Sequence, residues 1–324
     1  MEPDEIYLVV DIDAPQAGVE GLPGALYRFN RTLGTLSRFA EDARFRDPQM
    51  AVFLPGGDLL LSDSDADPDE TGRDTGAIFR IDGSTGAVKS AFSSELFVAP
   101  NALALAEDGT VYVTDRYART GSGPGLGAVF QVDLERRECK VALGGDRLRA
   151  PAFVLIEADG ALLLLDADVP TGVPGDEGVL FRSHPGSGEL TVAGVLKGAI
   201  SPLGMLREPE GTLLVFDANA DPHHIGGPLG AVFRFDPESG ETTLVVSSKP
   251  MRDPARGCLD RDGQVLFVDA NADPEKRGPD AAGRGQNVTG GGAIFRLNRH
   301  TGELTVLLAP PEFVNPVSIA RWPP

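Results

Sequence analysis

Residues 100–115 read Pro-Asn-Ala-Leu-Ala-Leu-Ala-Glu-Asp-Gly-Thr-Val-Tyr-Val-Thr-Asp, and their reading decides the fold. A proline opens an apolar run, Asp108-Gly109 supplies a turn, and a β-patterned run ends on Asp115. Asp-Gly between two such runs favours a tight hairpin, because glycine accepts positive φ. The same arrangement recurs along the chain. Strand-like runs end at Asp11, Asp63, Asp115, Asp166, Asp217 and Asp269, spaced by 52, 52, 51, 51 and 52 residues. Pro48, Pro100, Pro151, Pro202 and Pro254 each lie 15 residues before the next Asp, and Pro316 is the sixth. A third marker opens a further run at Gly24, Gly76, Gly127, Gly178, Gly230 and Gly292. Three phased markers define six repeats.

Each repeat holds four short β-patterned runs, called a to d. In the fifth they are Pro202–Arg207, Thr212–Phe216, Gly230–Phe235 and Thr242–Val246. No segment keeps helical apolar spacing over 11 residues. Units of four antiparallel strands repeated in this way are the blades of a β-propeller, here an all-β, six-bladed one. Two β-sandwiches would leave the unbroken period unexplained. The chain opens on a strand b at Glu5–Val10 and closes on a lone strand a at Pro316–Arg321. Pairing these two completes the sixth sheet and closes the ring, so residues 1–324 are expected to form a single domain.

Composition narrows the function. The 324 residues carry 48 Asp and Glu against 29 Lys and Arg, for a net charge of −19. Such a chain lacks the basic footprint of a nucleic-acid binder. No apolar run approaches membrane-helix length. Two cysteines make neither a disulfide scaffold nor a four-thiolate zinc site. The acidic N-terminus lacks a signal-peptide charge pattern, which points to the cytoplasm.

The repeat, with its Pro-led inner strand, Gly turn and aliphatic strand ending in Asp, resembles the six-bladed propellers of the SMP-30/gluconolactonase, strictosidine synthase-like and NHL-repeat groups. Residues 100–115 are most similar to an SMP-30 blade. The resemblance implies a small-molecule enzyme, foremost an ester or lactone hydrolase. It implies as alternatives a metal-free cyclase or lyase, or a non-catalytic binding propeller that takes a protein partner or a cation. In SMP-30 proteins an Asn directly after this proline is a divalent-metal ligand, and Asn101 inherits that candidacy. The matching positions are Gln49, Ala152, Leu203, Ala255 and Val317.

Alternating strand direction puts the b–c and d–a loops on one face, where varied loops on a rigid scaffold carry function. The b–c loops are acidic: Asp11-Ile-Asp13, Asp63-Ser-Asp65-Ala-Asp67, Asp166-Ala-Asp168, Asp217-Ala-Asn219-Ala-Asp221 and Asp269-Ala-Asn271-Ala-Asp273. Alternating carboxylate and amide oxygens suit a hard cation, calcium foremost. Pro68, Pro222 and Pro274 at the sixth place exclude an EF-hand. The first Asp of each loop has a second reading, as an acceptor for loop amides.

Departures from the repeat point to sites. His223 and His224 are candidates for a general base or a metal ligand, with His224 also a substrate contact, or a solvated pair. Arg256 is a candidate to orient a substrate carboxylate or phosphate, or to pair with a neighbouring Asp. Cys258 reads as a small apolar residue. Arg116, Tyr117 and Arg119 replace acids in the third repeat, to recognise an anion, stack on a ring or balance charge. The sixth repeat inserts Glu275–Gly291, read as a lid or a loop tip. No nucleophile elbow or zinc motif is present.

Overall fold

Strands b consist almost wholly of aliphatic and aromatic residues because both their faces are covered. Leu59–Asp63, Val111–Asp115, Leu162–Asp166, Leu213–Asp217 and Val265–Asp269 are buried along their full length. Outer strands d are half wet, and Thr35–Ala40 and Glu138–Leu143 alternate between exposed and covered positions. The computed structural model describes residues 4–14, 23–70, 72, 74–118, 120, 127–168, 177–220, 222, 229–272, 291–310 and 313–323. These form 24 strands in six four-stranded antiparallel sheets, the architecture of a six-bladed β-propeller. Among the described residues there is no helix.

The strands group into two compact units. One comprises residues 1–41 and 198–324, with blades 1, 5 and 6; the other comprises residues 42–197, with blades 2, 3 and 4. In the first, the last strand, Pro316–Arg321, pairs antiparallel with the first, Ile6–Asp11, and completes blade 1. Its core includes Tyr7, Phe29, Phe313 and Ile319. In the second, Phe92, Phe97, Leu103 and Phe130 pack together.

The Gly and Pro markers exist because they touch each other. A Cβ on Gly127 would overlap the ring of Pro151, which opens strand a of the next blade. The same holds for Gly76 against Pro100, Gly230 against Pro254 and Gly292 against Pro316. The glycine lets the neighbouring proline approach, and the proline opens its strand without needing an N–H.

The strand-c arginine is also explained. At the sixth position after each proline stand Leu54, Ala106, Glu157, Glu208, Asp260 and Trp322. Where an acid is present, the arginine of the same blade binds it: Arg182 to Glu157, Arg234 to Glu208 and Arg296 to Asp260. In blade 1 the acid is replaced by the sole tryptophan. Arg28 lies 4.3 Å from the Trp322 ring and 4.9 Å from that of Phe39, and these rings meet edge to face at 5.0 Å. A cation–π stack thus replaces an ion pair where the closing strand ends.

Candidate functional site

The Asp that ends each strand b serves the backbone. Asp63 accepts the N–H groups of Arg46, Asp47 and Asp65. Asp115 takes those of Val98, Ala99 and Tyr117, and Asp166 those of Arg149, Ala150 and Asp168. Asp269 takes those of Arg252, Asp253 and Asn271, and Asp217 those of Ser201 and Asn219. Asp11 takes those of Val314 and Asn315, some 300 positions away, and of Asp13. All six are fully buried. Each carboxylate ties the start of its own loop to the d–a loop entering the inner strand of the same blade. Burial pushes Asp63 and Asp269 up to about 7 and Asp11 and Asp217 up to about 6, against the amide donors that pull them down.

This geometry bears on the expected cation. Asp63, Asp217 and Asp269 have their oxygens engaged by amides, Asp67 accepts the Gly72 N–H, and Asp65 stands exposed. Asn219 and Asn271 donate their backbone amides to the first Asp of their loops, and the Asn271 side chain also donates to Asp253. Among the described residues no group of three or more His, Cys, Asp or Glu is placed to hold a metal ion. Asp221 and Asp273 lie outside the described residues, as do His223, His224, Arg119 and residues 275–290 of the insertion.

The inner strands carry a second repeated device. Immediately after the proline, pairing with strand b skips one or two residues, so each inner strand starts with a bulge. Bulges re-aim side chains and recur beside active sites. The bulged residues are Gln49, Asn101 with Ala102, Ala152, Leu203, Ala255 with Arg256, and Val317. Gln49 and Asn101 thus sit in equivalent positions of their blades, and Arg256 lies one residue further along its own bulge.

In blades 2 and 3 these bulges are joined by hydroxyls. Ser62 Oγ accepts the Met50 N–H at 3.2 Å and donates to the Asn101 carbonyl of the next blade. Ser64 Oγ donates to the Pro100 carbonyl at 3.0 Å, and Thr114 Oγ1 accepts the Ala102 N–H at 2.9 Å. Asn101 is buried and Gln49 half-buried. At the positions of Ser62 and Thr114 the other blades have Val10, Leu165, Phe216 and Val268. The polar residues Ser62, Ser64 and Thr114 escape a reading focused on loops. The signal of Ser62 and Thr114 is a hydroxyl breaking an aliphatic run one residue before Asp, as in Leu-Leu-Leu-Ser-Asp63.

Arg256 is 5% exposed. It fits because Gly204 of blade 5 lacks a Cβ, which would lie 2.8 Å from Arg256 Cγ. Its Nη1 reaches the Val317 carbonyl of blade 1 at 3.4 Å. Cys258 is half-buried, and burial pushes its thiol up to about 12, in keeping with a packing residue. Arg116 is half-buried and Tyr117 exposed at the start of the blade 3 loop.

Comparison with known proteins places the fold. No protein-family model matches the chain, and no curated protein matches it. Many solved structures do. A structure from a nidogen/laminin complex aligns over 99% of this chain and 98% of its own, with a TM-score of 0.67 and 12% identity. TolB from Acinetobacter baumannii aligns over 99% of this chain and 67% of its own, with a TM-score of 0.63 and 15% identity. A candidate 6-phosphogluconolactonase from Bacteroides uniformis aligns over 99% and 100%, with a TM-score of 0.57 and 13% identity. At these identities the likeness is one of fold.

Proposed function

We propose that the protein hydrolyses an ester or lactone of a small molecule, with the polar bulge of blades 2 and 3 holding the substrate. The observation that carries the reading is the pair of bulges joined by Ser62, whose Oγ accepts the Met50 N–H and donates to the Asn101 backbone carbonyl, with Gln49 and Asn101 standing where the sister blades have Ala152, Leu203, Ala255 and Val317. Primary amides offer N–H donors to a carbonyl oxygen that gains charge as water adds to the carbonyl carbon. The ring C–O bond then breaks, and the leaving oxygen takes a proton to give a hydroxy acid. The candidate 6-phosphogluconolactonase among the fold neighbours supports the same reaction class.

The test is turnover of a panel of γ- and δ-lactones and aryl esters by wild type, Gln49→Ala and Asn101→Ala. The reading expects turnover that falls at least tenfold in each variant at unchanged melting temperature. The same panel with EDTA asks separately about a cation; unchanged rates remove it. A second reading, a binding propeller, is favoured by the alignment with the structure from the nidogen/laminin complex, which has the highest TM-score of the three. A folded protein inert on the whole panel supports that reading instead.

A further inference from the structure

Blade 3 departs from its sisters at the second residue of its b–c loop. That place is held by Asp13, Asp65, Asp168, Asn219 and Asn271 in the other blades and by Tyr117 here. Tyr117 is 57% exposed. Its backbone is nevertheless fixed on both sides. The Tyr117 N–H donates to Asp115 at 3.0 Å, and the next residue, Ala118, is fully buried in the cluster with Phe97 and Phe130. Further on, Thr120 Oγ1 accepts the Gly145 N–H at 3.3 Å. An aromatic ring is thus presented to water from a backbone position anchored at Asp115 and Ala118, which limits the entropy a ligand must remove on binding.

Arg116, immediately before it, is half-buried. Its Nε is shielded from solvent without a hydrogen-bond partner. Its guanidinium makes no hydrogen bond or ion pair with any described residue, in a chain with 48 acidic residues. The nearest carboxylate in sequence, Asp115, is buried and engaged by the amides of Val98, Ala99 and Tyr117. The surrounding fold thus leaves Arg116 its charge and Tyr117 its ring face.

We infer that Arg116 and Tyr117 form a binding site for an aromatic anion, an aryl carboxylate or aryl phosphate, with the ring stacked on Tyr117 and the anionic group on the guanidinium. Carboxylate and phosphate both match the guanidinium fork. A ring pair adds about 3- to 10-fold in affinity beyond the anion alone. The site does not require that the protein be a hydrolase.

The experiment is calorimetric titration of the full chain with phenyl phosphate and benzoate, against inorganic phosphate, acetate, phenol and glucuronate. Both aryl anions are expected to bind at least threefold more tightly than every comparator. Tyr117→Ala should bring phenyl phosphate down to the level of inorganic phosphate, while Tyr117→Phe retains it. Arg116→Gln should weaken phenyl phosphate at least tenfold. The variants should melt as wild type, since neither side chain packs in the core. Absence of aryl-anion binding, equal affinity for glucuronate or inorganic phosphate, or unchanged binding by Tyr117→Ala would each overturn the site.

Discussion

Six buried aspartates hold six loop starts, and the cost of losing one follows from what it accepts. Replacing Asp63 by Ala leaves the amides of Arg46 and Asp47 without their acceptor. At roughly 1–3 kcal/mol per orphaned buried group, the loss should reach about 3–5 kcal/mol. Asp63→Asn, which keeps one acceptor oxygen, should lose about half of that; urea denaturation measures both. Protonation gives a second test. Asp63 and Asp269 are raised to about 7 and Asp11 and Asp217 to about 6, so the folded chain binds these protons more tightly than the unfolded chain. Their contribution is complete below about pH 4 and is lost as the pH rises through 6 to 7. Glu5 is net lowered, where Tyr7 and Arg31 outweigh burial, so its contribution is lost instead as the pH falls below about 4. The melting temperature should therefore be higher at pH 5 than at pH 8. A flat profile between these values would show that these four carboxyls titrate normally.

At the level of strands, the contact between the Gly and Pro markers predicts unequal costs for one chemical change. Gly127→Ala drives a Cβ into the Pro151 ring and should destabilise by about 2–3 kcal/mol, the range of an overpacked core. Gly56→Ala meets nothing within 4 Å and should stay within about 0.5 kcal/mol of wild type. Thermal melts of the two variants compare them directly. This contact also explains why the blades were legible in the sequence. The Asp performs its backbone task in all six blades and the Gly–Pro contact recurs at four of the markers, and tasks repeated in this way leave a periodic trace. The candidate site was less legible. Whether Asp63 accepts amides or holds a cation depends on Arg46 and Asp47, which lie 17 and 16 positions upstream. The bulges that group Gln49, Asn101 and Arg256 are matters of register, and composition does not reveal a skipped pairing partner. Ser62 and Thr114 looked like ordinary strand residues until their hydroxyls were found on the bulged backbone.

For the molecule, closure of blade 1 joins the two ends of the chain. Asp11 accepts the Val314 and Asn315 amides, the Asn315 side chain donates to Asp13 at 2.9 Å, and the Trp322 N–H donates to the Ile6 carbonyl at 2.9 Å. The stack of Trp322 on Arg28 ends the seam. Trp322→Ala should lower the melting temperature by roughly 4 °C or more, since it removes a buried ring face and a cation–π contact. Because Trp322 is the sole tryptophan, its emission reports on this seam alone. On this scaffold, the proposed function rests on the places where a blade breaks the common pattern, and the polar bulges of blades 2 and 3 are the central case. The most direct measurement is the initial rate of lactone hydrolysis by the Gln49→Ala/Asn101→Ala double variant beside wild type, at matched melting temperature. The account predicts turnover by wild type that falls at least 100-fold in the double variant. Equal turnover by the two proteins would contradict it.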